Sequence, residues 1–178
     1  QLILPMLAHD YNKRKKDISS HFALQPKIDG VRLVAHIDPT TEHIVFTSRT
    51  GKVMKNLDHI ANDLIENEVF YDKDVYLDGE LFTFDLPFEE ISGLFSTKTP
   101  SPKMKLLKFY IFDSFFRDER SNTTFIERHN ALKSNFKHCR HSFLVETSLF
   151  KKPTDSTDKI VENFHGTYVL NGYEGVMI

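Results

Sequence analysis

Between Val31 and Ile37 the chain alternates, with Val31, Leu33, Ala35 and Ile37 set against Arg32, Val34 and His36. A period of two predicts a half-buried strand that begins just after Gly30. Ile44 and Phe46 against Val45 and Thr47 repeat the pattern in EHIVFTSRTGK, and the short DPTTE between the two runs predicts an antiparallel hairpin. The period then changes. In NLDHIANDLIENEV, Leu57, Ile60, Ala61, Leu64 and Ile65 recur at helical spacing, with Asn56 placed to cap an amphipathic helix.

Further on, VYLDGELFTF and LKFYIFDSFF read as buried strands that carry acidic residues inside apolar runs. A short helix is expected at FEEISGLF, another at TTFIERHNALKSNF, and a single strand at HSFLVETSLF. TDSTDKIVENFHGTYVLNG places Ile160, Val161, Phe164 and Tyr168 on one helical face, with Gly172 as the C-cap, and YEGVMI begins a strand. Strands and helices mixed through hairpin connections predict an α+β fold of largely antiparallel sheets flanked by helices. At 178 residues the whole of 1–178 reads as one domain.

Charge changes the picture only locally. The formal net charge is −2, so the body is not that of a simple polyanion binder, and any nucleic-acid contact must come from patches. The basic run from Lys13 to Lys16 reads as a solvated turn or helix face. STKTPSPKMKLLK carries four lysines and no acid; its Pro-rich half is expected as a loop, and Lys98, Lys103 and Lys105 are candidates for touching a DNA backbone. The single cysteine, Cys139, fits a reducing, intracellular setting, and no apolar run approaches the ~18 residues of a membrane span. HCRH lacks the second ligand pair that a zinc site needs and reads as a solvated loop.

Four places break the apolar pattern: KIDGVR at 27–32, SRTG at 48–51, DGE at 78–80 and EG at 174–175. The first of them, at the mouth of a strand, is either a solvated turn or a reactive site. Buried unpaired charge is costly, so such groups are expected to face one another or a charged ligand. Lysine, two arginines and several carboxylates suit a nucleoside triphosphate with a divalent metal.

In sequence and order these motifs resemble the nucleotidyltransferase domain of ATP-dependent DNA ligases, an ATP-grasp-like fold. The wider family includes RNA ligases and mRNA capping enzymes. The family's K-x-D-G-x-R stands here as KIDGVR, a match expected by chance in roughly one chain in five hundred of this length. SRTG, DGE, FYIFD and EGVMI follow in the family's order, and PMLA at 5–8 is similar to the segment before the nucleophile strand. The resemblance implies that Lys27 attacks the α-phosphate of ATP to form lysyl-AMP, which requires a neutral amine. It implies Arg32 and Arg49 as phosphate and ribose contacts, Glu80 as a ribose or metal ligand, Glu174 as a support for metal and lysine, and Asp29 as a support for the metal-phosphate chemistry. Phe112 would stack on adenine, while Gln25 and the backbone around Pro26 and Ile28 would read its edge. Gly30 would serve a tight turn or a close approach to the nucleotide.

ATP, Mg2+ or Mn2+, and nicked double-stranded DNA are the implied cofactors and partners, with a monomer expected. The family's next motif, K-x-K, and its OB-fold domain do not appear in these residues, which reads as truncation. RNA ligase and capping guanylyltransferase are alternatives within the same chemistry. A non-catalytic nucleotide- or DNA-binding module is the alternative outside it.

Overall fold

A computed structural model describes residues 3–41, 43–70, 73–96, 98–117, 122–137, 139–151 and 156–178. In chain order the elements are α1 (Tyr11–Arg14), β1 (His21–Lys27), β2 (Val31–Ile37), β3 (Ile44–Ser48), α2 (Asp58–Glu66), β4 (Val75–Phe82) and α3 (Phe88–Gly93). There follow β5 (Lys108–Phe116), α4 (Phe125–Asn135), β6 (Ser142–Leu144), β7 (Ser148–Lys151), α5 (Thr157–Leu170) and β8 (Gly175–Met177). The chain divides into two compact units, one of Gln1–Pro5 with Gly30–Leu144 and the other of Met6–Asp29 with Val145–Ile178.

The larger unit is built on a five-stranded sheet in the order β3-β2-β4-β5-β6, antiparallel except where β6 runs parallel to β5. Cross-strand partners share a face, so the register sorts the side chains. Leu33, Ala35, Leu77, Leu81, Phe109 and Ile111 fall on one face and are fully buried, as are Ile60 and Leu64 of α2. Each such aliphatic side chain contributes roughly 1.5–3 kcal/mol by leaving water. Arg32, Val34, His36, Tyr76, Asp78, Glu80, Tyr110, Asp113 and Phe115 fall on the other face.

That second face corrects one expectation. β2 is not half-buried, because Val34 packs under Tyr76 and Phe115 with Ile3 beside them. The strand is covered on both faces at its centre. A second correction concerns α2, which starts after Leu57 rather than after an Asn56 cap; Asn56 instead takes a left-handed turn at φ 65°. Thr124 and Glu127 form a reciprocal capping box on α4. Pro102–Leu106, expected within or beside a loop, winds into a short 3-10 helix capped by Ser101.

The smaller unit carries a three-stranded antiparallel sheet in the order β7-β1-β8. Phe22, Leu24 and Val161 form its buried centre, and Ile160, Phe164, Tyr11, Ile18, Phe150 and Val176 pack around them. α5 therefore buries the face its spacing predicts. Asn171 caps it, and Gly172 follows at φ 87°, donating its N–H to the Val169 carbonyl. The basic run lies exposed on α1 and the turn after it, where Arg14 pairs with Asp17 and Lys15 with Asp158.

HSFLVETSLF is two strands, not one. Ser142–Leu144 pairs with β5, and Ser148–Lys151 pairs with β1 in the other sheet. A segment that leaves one compact unit for the other at Leu144–Val145 cannot remain a single straight ladder. Among the described residues, no helix is long and apolar enough to cross a membrane.

Candidate nucleotide-transfer site

In the smaller unit, β1 presents Lys27 at its last position. Its pairing with β7 ends at Leu24, before Pro26, which has no N–H to give, and from Gln25 onward β1 pairs with β8. Lys27 lies opposite Gly175 in that register. The Glu174 N–H donates to the Lys27 carbonyl at 2.9 Å, and the Lys27 ammonium donates to a Glu174 carboxylate oxygen. Backbone and side chain thus fix the same two residues to each other. Both side chains remain open to solvent.

Gln25 and Lys27 project from one face of β1, two residues apart. The Gln25 side chain is buried, and its Nε2 donates to Thr147 Oγ1 at 2.9 Å. Pro26 alternates to the other face and is buried, as is Ile28, so these two could offer a ligand only backbone. Asp29 is exposed in the link to β2.

In the larger unit, Arg32 is gripped by Asp78, with Nε to Oδ1 at 2.7 Å and Nη2 to Oδ2 at 2.8 Å. Burial works against the guanidinium charge, but the Asp78 bonds and charge, helped by Glu80 and Asp113, outweigh it and raise the Arg32 pKa above its ordinary value. Glu80 lies directly opposite Arg32 in the β2–β4 register. The Arg32 guanidinium also sits over the Phe112 ring, 4.7 Å from its centroid. Three of the residues that the motifs single out are therefore together here: Arg32, Glu80 and Phe112.

Phe112 owes its aim to a β-bulge. Asp78 pairs with Asp113 and Gly79 with Ile111, so Phe112 is the extra residue between them. Gly79 makes the bulge possible, since a Cβ there would stand 2.2 Å from the Tyr110 carbonyl oxygen. Gly30 answers to a similar constraint: a Cβ would stand 2.3 Å from the Leu81 carbonyl oxygen. The close approach predicted for Gly30 is thus to a neighbouring strand, with no nucleotide needed to explain it. Next to the bulge, Arg128 forks onto Asp113 at 2.9 and 2.8 Å, a second buried arginine–carboxylate pair.

Arg49 is exposed in the turn that follows β3 and is not among the groups held against Arg32. Of the three candidate DNA-contacting lysines, Lys103 is paired with Glu90 at 2.7 Å, while Lys98 and Lys105 are exposed. Around HCRH, His138 lies outside the described residues. Cys139 is buried with its thiol pushed up to about 12 by burial and by Asp63, so this stretch is not wholly a solvated loop. The Asp63 carboxylate accepts the Arg140 and His141 N–H groups, which explains an acid buried on α2. The sequence marked Asp78 only as part of DGE, with no role of its own, and did not mark Thr147 at all. The signal for Asp78 was present, a second acid two positions before Glu80 on the same face of a strand; Thr147 offered none.

The donors near Lys27 and Arg32 are carboxylate oxygens, suited to a hard cation such as Mg2+. Among the described residues, no cluster of three or more His, Cys, Asp or Glu is arranged around a metal position. Carboxylates of either unit suit Mg2+ by chemistry, since this ion commonly takes one or two of them and completes its shell with phosphate and water.

The larger unit thus carries a bulge-aimed aromatic ring and an arginine locked to a carboxylate, and the smaller unit a lysine at a strand end. The family model described as ATP dependent DNA ligase domain matches residues 5–178, and the chain belongs to that family. It is 31% identical over 182 residues to the DNA ligase of African swine fever virus, covering 99% of this chain and 41% of the viral protein. The chain thus spans about two-fifths of the length of these curated relatives. Its fold is similar to Chlorella virus DNA ligase-adenylate, with a TM-score of 0.68 at 19% identity over 99% of this chain and 59% of that one. It is similar too to the ATP-dependent DNA ligase of bacteriophage T7 in complex with ATP, with a TM-score of 0.62 at 17% identity over 97% of this chain and 60% of that one.

Proposed function

We propose that this chain is the nucleotide-charging part of an ATP-dependent DNA ligase. Lys27, held against Glu174 at the end of β1, is the observation that carries this reading. A salt bridge is made by the ammonium, whereas attack needs the neutral amine, so the pair must exchange its proton or its partner before reaction. Glu174 is in contact to receive that proton. The Lys27 nitrogen then forms a bond to the α-phosphorus of ATP, the bond from that phosphorus to the bridging oxygen breaks, and pyrophosphate leaves with the electron pair. Arg32, fixed by Asp78, offers a permanent planar charge to phosphate or ribose without reorganising. Glu174 and Asp29 in the smaller unit, and Glu80 in the larger, are the candidate carboxylate ligands for Mg2+ or Mn2+, which when bound would neutralise phosphate charge.

The names of the viral relatives support DNA as the acceptor. AMP would pass from Lys27 to the 5′-phosphate of a nick, and the 3′-hydroxyl would displace it to close the phosphodiester. Exposed Lys98 and Lys105 are the groups of the basic stretch available to the DNA backbone. The test is incubation with α-labelled ATP or GTP and magnesium, followed by a denaturing gel and a peptide map. Label from ATP on Lys27 is expected; label elsewhere, or retained in Lys27→Ala, overturns the reading.

A further inference from the structure

We infer that Arg128, on α4, is a positioning residue of the nucleotide site: it neutralises Asp113 so that Asp78 keeps its grip on Arg32. The inference rests on the ATP-charging role proposed above. In the β4–β5 register Asp78 lies directly opposite Asp113, on the face that carries Arg32. Like charges directly opposite each other in a ladder repel, and burial removes the water that would screen them. Both acids are buried. Without cations of their own, two carboxylates so placed would oppose each other.

Each is answered by its own arginine. Arg32 forks onto Asp78, and Arg128 forks onto Asp113, with Nε to Oδ1 at 2.9 Å and Nη2 to Oδ2 at 2.8 Å. Two guanidinium groups thus stand against two carboxylates. Asp113 also accepts the Ser114 N–H at 2.8 Å, but a neutral donor cannot stand in for a cation. The Asp113 charge reaches Arg32 as well. With Arg128 gone, one guanidinium would face two carboxylates, and a planar fork can engage only one of them with both prongs. Arg32 would be drawn between them and away from its place over the Phe112 ring. Arg128 is itself held still. Its Nη1 donates to the Thr123 carbonyl at 2.7 Å, and it follows directly on the capping box of Thr124 and Glu127. No motif singled out a residue of α4, yet its first turn supplies this support. Arg128 acts on a nucleotide only through Asp113, Asp78 and Arg32.

The test measures equilibrium ATP binding to the full 178-residue chain, with thermal melts in parallel and all binding read well below the melting transition. It uses the wild type, Arg128→Met, Arg128→Lys and the Arg128→Met/Asp113→Asn double variant. Asp63→Asn serves as the control, because Asp63 is also a buried acid of the larger unit, bonded instead to the Arg140 and His141 N–H groups. Arg128→Met should weaken ATP binding about tenfold or more. Arg128→Lys, which keeps the charge, should stay within about threefold of wild type. The double variant, which removes the arginine and the charge it balances, should regain most of the lost affinity. Asp63→Asn should lower the melting temperature and leave ATP affinity unchanged. Arg128→Met that binds ATP like the wild type, or loses no more affinity than Asp63→Asn, reduces Arg128 to a structural residue and overturns the proposal. A double variant as weak as Arg128→Met, or unable to fold, overturns it too. Should Arg128→Met alone fail to fold, the double variant decides: affinity near wild type supports charge balance, and a tenfold loss is fatal to it. Failure of the underlying reading looks different, since then the wild type would bind no ATP.

Discussion

Lys27–Glu174 and Arg32–Asp78 are both cation–carboxylate pairs, and their cations stand only five residues apart in the chain, yet they are built for opposite purposes. The lysine pair is 39% and 48% exposed at its two side chains; the arginine pair is 19% and 7% exposed. An exposed pair is worth little to stability and can be opened cheaply. A buried, two-pronged pair is costly to break, because whichever partner remains is a charge stranded away from water. The first can change its partner at little cost, while the second holds its charge still. One short motif thus carries an easily opened ion pair and a fixed one.

Single substitutions can break that contrast. Lys27→Ala should abolish the labelled adduct altogether while moving the unfolding free energy, measured in urea, by less than about 1 kcal/mol. A comparable loss of stability to that of the buried pair would show that Lys27 is structural. Glu174→Ala should slow adduct formation by about two powers of ten or more, again with little change in stability; near-normal rates would reduce Glu174 to a surface partner. Asp78→Ala should cost about 3–5 kcal/mol, seen as a lower denaturation midpoint, and replacing Arg32 and Asp78 together with Met and Leu should restore much of it. Recovery of adduct formation in that double replacement would remove Arg32 from the chemistry. Gly79→Ala should cost about 1–3 kcal/mol, because the new methyl meets backbone that cannot swing away.

The smallest effect concerns acid. His59 and His129 are both held below the ordinary histidine value, mainly by burial. Each takes up a proton less readily folded than unfolded, so their contribution is complete above about pH 6.5 and is lost as pH falls through the folded values. Unfolding measured from pH 7 to pH 5 should show that decline, and His129→Asn should flatten it. A slope left unchanged would assign the acid sensitivity to other groups, the buried carboxylate pairs among them.

The alternation in β2 and β3, the apolar runs of β4 and β5 and the spacing in α2 and α5 were legible because one residue's neighbours in sequence decide those patterns. The chemistry was legible for a similar reason, since charge at strand ends stands out against apolar runs. β1 was not, because HFALQPK neither alternates nor avoids proline, and it pairs with two different partners over its two halves. The break inside HSFLVETSLF was hidden too, as both halves have strand composition and only the distant partners of each tell them apart. Asp78 and Thr147 act through contacts 46 and 122 residues away in sequence, and no local period reports such distances.

The bulge at Phe112 sets the reading frame of the sheet. Strand residues alternate between faces, so deleting one residue elsewhere in β5 would turn every position beyond it inside out, sending Asp113 and Phe115 to the face of Leu77 and Ile111. Deleting Phe112 itself would leave Ile111 and Asp113 paired as they are now. The residue aimed by the bulge is therefore the one place in the strand where chain length and facing are uncoupled. Loss of that residue leaves the register of the sheet intact and costs Arg32 the ring beneath its guanidinium.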